Sequence, residues 1–133
     1  MSKLLPDIDD LTRPFWDAAR DGRLVMQRCA DCGAYVWHPQ PWCRACYGQN
    51  LAWQDMSGQA ELFTYSVVHY APLPGYADDV PYVLATVRLA EGPQMMTNIV
   101  GCDWREVSIG QRLALCWEER AGGIRVPQFT PLP

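Results

Sequence analysis

The sequence contains CADCG at residues 29–33 and CRACYG at residues 43–48, so that ten residues separate Cys32 from Cys43. Each Cys-x-x-Cys pair can form a tight turn that directs two sulfur atoms toward one point. Two such turns facing each other supply four thiolates in a tetrahedron, which is the closed geometry of structural zinc. We therefore predict a zinc ribbon in which one structural Zn²⁺ is bound by Cys29, Cys32, Cys43 and Cys46.

Glycines follow both cysteine pairs, at Gly33 and Gly48. The chain must bend sharply away from a metal there, and glycine tolerates the positive φ that such a bend requires. Other uses of the pairs stay open, because four thiolates also bind iron and Cys-x-x-Cys also suits thiol exchange or a disulfide. A catalytic zinc is disfavoured, since it keeps one coordination position open for water.

The composition predicts a folded chain and disfavours nucleic-acid binding, although an OB-fold nucleic-acid-binding protein stays the least favoured alternative. The chain has 133 residues, 49% of them apolar, which is enough for one modest domain or two small units. Zinc ribbons often bind nucleic acid, but a phosphate-binding face needs a surplus of basic residues. Here the net charge is −4, and Lys3 is the single lysine.

The N-terminal stretch does not have the pattern of a secretion signal or a membrane anchor. Asp7, Asp9 and Asp10 lie where a signal peptide would be apolar. No segment reaches the roughly 20 apolar residues of a membrane helix. Reduced cysteines and a zinc site agree with a reducing compartment, so we expect a cytoplasmic protein.

The first 22 residues predict an arm and a short helix. Thr12 is a suitable N-cap, Pro14 stands in the first turn, and Gly22 is placed to end the helix. Residues 23–57 form the predicted ribbon, in which Pro39 and Pro41 exclude a helix between the two cysteine pairs.

Residues 58–133 read as five strands in a small closed barrel. The runs are aromatic and β-branched or alternate with period two, and a short insert at 103–108 follows the third. The five-stranded OB-fold accounts for this pattern economically, and a four- or six-stranded sandwich is the alternative. The predicted strands are 62–70, 82–89, 95–100, 113–117 and 124–129.

With these segments placed, the chain resembles the zinc-ribbon/OB-fold family of acyl-CoA-binding accessory proteins. Members of that family accompany thiolase-like enzymes, aldolases or MaoC-type enoyl-CoA hydratases. The resemblance extends over nearly the whole chain. It rests on FWDAA at 15–19, GRL at 22–24, QRCADCG at 27–33, VVH at 67–69, PGYADDVPY at 74–82, TNIVG at 97–101 and IG at 109–110.

The resemblance implies a non-catalytic subunit of a hetero-oligomer. Such a subunit holds acyl-CoA, or completes the active-site channel, of its enzyme partner. Some members work with thiolase-like aldolases in steroid side-chain degradation, and others assist acyl-CoA condensations or hydratases. Residues 35–38 are more aromatic than is usual in the family, which leaves the type of partner open.

The loop at 69–81 is the predicted ligand-binding element. It joins the first two barrel strands, a position that OB-folds use for ligands. Three prolines restrict its motion, so it can present side chains at low entropic cost. A stiff surface connection is the alternative. For acyl-CoA or the partner's channel we predict contacts from His69, Tyr70, Leu73 and Tyr76, and from Asn98 in the resemblance motif.

The sequence contains no convincing catalytic constellation. His69 has no nucleophile or carboxylate beside it, and Asp103 next to Cys102 should raise the pKa of that thiol. An independent thioester enzyme using either residue remains the alternative. His38 is not needed as a metal ligand, because four thiolates already close the shell. Arginines match CoA phosphates, but the sequence does not choose among Arg28, Arg44, Arg88, Arg105, Arg112, Arg120 and Arg125.

Several tryptophans are predicted to lie at an interface. Phe15 and Trp16 are adjacent in a helix and cannot both face the same way. Trp37 and Trp42 are large rings in a ribbon too small to bury everything. Exposed aromatics of this kind mark binding surfaces. We predict that a partner covers Trp16 and part of the ribbon; the alternative is that both helix rings pack on this chain's own barrel.

Overall fold

The computed structural model describes residues 3–132 and confirms a mostly β fold with one α-helix, a four-cysteine ribbon and a five-stranded barrel. Helix α1 spans Arg13–Arg20. The ribbon sheet contains β1 (Val25–Cys29), β2 (Tyr35–Val36) and β3 (Leu51–Asp55). The barrel contains β4 (Gln59–Val68), β5 (Tyr82–Leu89), β6 (Gln94–Ile99), β7 (Arg112–Glu119) and β8 (Arg125–Pro131), with 3₁₀ turns at Trp104–Glu106 and Ala121–Gly123.

Both ends of α1 are fixed by local hydrogen bonds, although the N-terminal cap differs from the prediction. The hydroxyl of Thr12 does not cap the helix. Instead, Asp9 Oδ1 accepts from the Thr12 N–H at 2.9 Å, while Thr12 Oγ1 accepts from the Asp9 N–H at 3.2 Å, so the reciprocal cap lies one turn earlier. At the other end, Gly22 has φ +79° and the Arg23 N–H donates to the Ala18 carbonyl, which is a Schellman ending.

The barrel has the strand order β4-β5-β6-β8-β7 and closes between β7 and β4. All neighbouring strands are antiparallel except β6 and β8, which pair in parallel at Ile99 and Phe129. This is the OB-fold topology. A β-bulge between Leu62 and Thr64 bends β4, which helps the sheet to close. Closure excludes the sandwich alternative.

The helix, the ribbon and the barrel share one hydrophobic core. Phe15 of α1 and Met26 of β1 are buried in the same cluster as Leu62, Leu113 and Phe129 of the barrel. The interior of the barrel alternates regularly along β5, where every second residue is buried. Within residues 3–132, no helix has the length and hydropathy needed to cross a membrane.

Candidate metal centre and barrel groove

The four predicted ligands form one cluster of thiols. All four sulfur atoms lie within 4.8 Å of one another. The Cys29–Cys46 and Cys32–Cys43 sulfur pairs are each 3.6 Å apart. A tetrahedron with Zn–S bonds of about 2.3 Å has sulfur atoms about 3.8 Å apart, so this spacing fits zinc. Cys29 and Cys43 are buried, whereas the other two sulfurs face the surface.

The two cysteine turns are built by the same backbone bonds. The Gly33 N–H donates to the Cys29 carbonyl, and the Tyr47 N–H donates to the Cys43 carbonyl, both at 2.8 Å. The fourth residue after each first cysteine therefore takes a left-handed conformation, with φ +79° at Gly33 and +63° at Tyr47. The prediction was right for Gly33 and wrong for Gly48, because Gly48 lies one position beyond the equivalent residue.

Gly48 is required for a different reason, the close approach of neighbouring side chains. A Cβ atom at this position would lie 3.0 Å from Asp31 Oδ2 and 3.3 Å from Cys46 Sγ. Both distances are tighter than ordinary van der Waals contact. Glycine therefore lets the second turn close against the first.

Without a cation, ionisation of all four thiols together is unfavourable. Backbone hydrogen bonding, chiefly from Cys46, lowers the pKa of Cys43 to about 7. The Gly48 N–H lowers the pKa of Cys46, but hydrogen bonds with Cys29 and Cys32 outweigh it and raise that pKa to about 12. Like charges at this spacing oppose one another. A divalent metal removes this conflict by binding all four sulfurs as thiolates.

A groove on the barrel surface contains two of the predicted site residues, Tyr76 and Asn98. We call it the barrel groove. Its volume is about 490 Å³, which is in the range of small-molecule sites. It lies between the β4–β5 loop, the end of β6 and the end of β7. Its other lining residues include Lys3, Asp79, Tyr82, Cys102, Trp104, Glu118, Arg120 and Gln128.

The remaining predicted residues lie outside this groove. His69 follows β4 and packs edge-on against Trp104, with ring centroids 5.4 Å apart, so it lies next to the groove wall. The side chains of Tyr70 and Leu73 are exposed and do not line the groove. They stay predictions for a contact made outside it.

Sequence reasoning missed several lining residues whose placement depends on the fold. Tyr82 begins β5 on the outward side of the alternation. Trp104 belongs to the insert after β6, where the sequence has no periodic pattern from which its side-chain position could be predicted. Arg120 was one of seven undistinguished arginines. In the structure Arg120 donates to Glu118 at 2.9 Å and to the Tyr76 hydroxyl at 3.1 Å, so its charge is already engaged.

A second, apolar groove of about 450 Å³ lies between α1, the ribbon and the barrel. We call it the apolar groove. Asn98 lines both grooves and donates to the Val83 carbonyl at 3.0 Å. The two grooves therefore meet on the outer face of β5 and β6. The apolar lining is made by Phe15, Trp16, Trp37, Leu84, Met95, Met96, Val126 and Pro127.

The tryptophan prediction is resolved in part by this groove. Phe15 is buried and contacts Trp37, with ring centroids 5.2 Å apart. Trp16 is only half-buried and packs at the edge of the core, and Trp42 is exposed. One ring of the adjacent pair thus packs inward, as expected, and the other retains accessible surface. Whether a partner covers that surface stays a prediction.

The other candidate reactive groups do not assemble into a site. His38 stacks on Trp37 and lies outside the sulfur cluster. Burial, followed by the charges of Glu106 and Asp103, raises the pKa of Cys102. Burial likewise raises the pKa of Cys116. A nucleophilic cysteine needs the opposite shift.

Two protein-family models match the chain in succession. The rubredoxin-like zinc ribbon domain of ChsH2 matches residues 16–52, and the C-terminal OB-fold domain of ChsH2 matches residues 53–118. The ribbon match agrees with the sulfur geometry, and together they support structural zinc at the four cysteines.

The chain is similar to named proteins of known sequence. It is 36% identical over 118 residues to a protein of Thermomonospora curvata named "Probable enoyl-CoA hydratase alpha subunit", covering 88% of this chain and 36% of that protein. The chain therefore spans about a third of that relative's length. It is also 33% identical to a DUF35 domain-containing scaffold protein of Methanocaldococcus jannaschii, over 68% of this chain and 64% of the relative.

The structure is similar to a solved one over nearly its whole length. That structure is titled "Ltp2-ChsH2(DUF35) aldolase", and the matched chain superposes with a TM-score of 0.85 at 33% identity. The match covers 96% of this chain and 98% of the other.

Proposed function

Because this chain belongs to the DUF35 family of ChsH2-type zinc-ribbon and OB-fold proteins, we propose that it is an accessory subunit of an acyl-CoA-processing enzyme. It docks on a thiolase-like enzyme and completes the site in which that enzyme holds its acyl-CoA. The observation that carries this proposal is the end-to-end similarity to a chain of the Ltp2-ChsH2(DUF35) aldolase.

The two grooves suit the two halves of an acyl thioester. The hydroxyl of Tyr76 and the amide of Asn98 are groups that can hydrogen-bond the amides of a pantetheine arm. Beyond Asn98, the apolar groove offers Trp16, Met96 and Leu84 to an apolar acyl group. The proposed ligand thus crosses the outer face of β5 and β6, with the partner covering it.

The chemistry is assigned to the partner rather than to this chain. The raised pKa of Cys102 opposes thiolate formation. His69 packs against an indole ring, and a ring edge is not a group that orients a general base. The role left to these residues is to shape and shield the ligand. We propose that the protein and its enzyme partner work in the cytoplasm, where the ribbon thiols stay reduced and can bind zinc.

A MaoC-type enoyl-CoA hydratase is the second candidate partner. It is favoured by the relative named as a hydratase alpha subunit, whose sequence this chain matches over 118 residues. The chain spans only about a third of that relative, so a hydratase assembly would need further protein domains.

Co-purification tests the proposal directly. A tagged full-length chain, isolated from its native host, should recover a thiolase-like enzyme, whereas recovery of a MaoC-type chain supports the alternative. The purified pair should then turn over acyl-CoA faster than the enzyme alone. Tyr76→Ala should raise the KM for acyl-CoA, while Tyr47→Ala, at a highly exposed ribbon tyrosine, should not. Recovery of neither enzyme would refute the proposal.

A further inference from the structure

Lys3, in the N-terminal segment 3–5, lines one end of the barrel groove and is held there by charge. Lys3 Nζ is 2.7 Å from Asp79 Oδ2 in the β4–β5 loop and 2.9 Å from Glu118 Oε2 on β7. It also lies 5.2 Å from the centre of the Tyr76 ring. One ammonium group therefore joins the loop to the barrel wall.

Backbone contacts reinforce this position. Arg120 Nη1 donates to the Leu4 carbonyl at 2.9 Å, while its Nη2 donates to the Tyr76 hydroxyl. Gly75 lies so close to the segment that a Cβ added at Gly75 would lie 2.7 Å from the backbone nitrogen of Lys3. The segment, the loop and the end of β7 thus form one polar contact region.

Apolar burial does not account for the placement of the segment. Leu4 and Leu5 are 59% and 47% exposed, whereas the Lys3 side chain is only 20% exposed. The polar contacts must therefore hold it. Such contacts weaken with salt and can be exchanged for others at small cost, whereas a buried leucine cannot be released so readily.

We propose that residues 3–5 act as a strap that holds the β4–β5 loop over the barrel groove, with Lys3 as the positioning residue. While Lys3 joins Asp79 to Glu118, the loop keeps Tyr76 against the groove wall. When the strap is released, the loop moves away and the groove widens. The strap is a property of this chain alone, so it does not depend on which enzyme the chain serves.

Hydrogen–deuterium exchange of the full-length protein tests the strap without a partner or ligand. The loop contains two reporter amides: the Tyr76 N–H bonds the Leu73 carbonyl, and the Asp79 N–H bonds the Tyr76 carbonyl. Lys3→Met removes the ammonium but keeps a chain of similar length. Exchange in residues 69–81 should become about twofold to fivefold faster, the range that the loss of part-exposed ion pairs gives. Lys3→Arg should restore most of the protection.

A matched variant controls for the loss of any ion pair. Arg23 and Asp55 form an ion pair in the ribbon, with 2.8 Å between Nη1 and Oδ1. Because this pair does not involve the β4–β5 loop, Arg23→Met should leave exchange in the loop unchanged. Raising salt from about 0.05 M to 1 M should speed loop exchange in the wild type but not in Lys3→Met, because screening acts on the same ion pairs.

A substitution in the β4–β5 loop tests the strap by steric exclusion. Gly75→Ala should expel the segment and speed exchange in 69–81 as Lys3→Met does. Gly110→Ala is its control, since Gly110 has nearly the same φ, +83° against +84°, and open space around its Cβ. If Lys3→Met leaves exchange in the loop at the wild-type rate, the strap proposal is wrong, whatever Gly75→Ala does.

Discussion

Trp16 is the residue at which docking and folding can be separated experimentally. It lies half-buried at the edge of the core, packs edge-on against Phe15 at 4.9 Å, and lines the apolar groove. If a partner covers that groove, Trp16 is placed as an anchor. Truncating an anchor of this kind costs about 2 kcal/mol or more of binding, which is about a thirtyfold loss of affinity.

Trp16→Ala also has a cost within the isolated chain. Removing a fully buried tryptophan destabilises a protein by about 3 to 5 kcal/mol. Because Trp16 keeps part of its surface exposed, we expect about half of that, with the zinc content unchanged. Thermal unfolding, elemental analysis and titration calorimetry with the co-purified partner measure the three quantities separately.

Phe63→Ala provides the control for this experiment. Phe63 is 42% exposed on β4 and lines neither groove, so its loss should leave partner affinity nearly unchanged. A Trp16→Ala protein that melts earlier but binds its partner within about threefold of wild type would refute docking at the apolar groove. Trp16 would then be a core residue only.

Three further predictions concern the metal, the second cysteine turn and the strap. Freshly purified protein should contain one zinc per chain by elemental analysis, and Cys43→Ser should unfold the ribbon while circular dichroism shows the barrel strands retained. Gly48→Ala should weaken zinc retention against a chelator, because the new Cβ meets Asp31 and Cys46. Burial raises the pKa of Glu118, but hydrogen bonds from Lys3 and Arg120 outweigh this and lower it overall. The stability that Glu118 contributes should therefore be present above its unfolded pKa of about 4.5 and be lost as pH falls through the lower folded value. In Glu118→Gln, the free energy of unfolding should fall less over this acidic range, as measured by urea titrations followed by fluorescence.

The fold could be predicted because its signals are local. The spacing of the cysteines placed the ribbon, and the alternation along Leu113, Leu115 and Trp117 placed a barrel strand where β7 is found. The helix cap was misplaced by one turn because Asp9 and Thr12 can each cap the other. The prediction of a positive φ at Gly48 was also wrong by one position, because Tyr47 takes the left-handed conformation of the second cysteine turn.

The barrel groove depends on contacts that no local pattern contains. Lys3 and Glu118 are 115 positions apart, and their contact exists only because β7 ends beside the N-terminal segment. Tyr76 belongs to a loop that the sequence could single out, because OB-folds use this position for ligands, and its contact with a ligand stays a prediction. Trp104 and Arg120 reach the same groove from separate elements, and only the closed barrel brings them together.

Asn98 lines both grooves, but their other lining residues differ, so the two grooves can be tested separately by substitution. Tyr76→Ala changes the barrel groove, whereas Met96→Ala changes the apolar groove. If one ligand crosses both grooves, each of the two substitutions should weaken its binding. If the apolar groove serves the partner instead, Met96→Ala should reduce partner affinity and leave the ligand's KM unchanged at saturating partner. Substitutions on the outer face of β5 and β6 can thus distinguish a binding site for the acyl group from a docking surface for the enzyme.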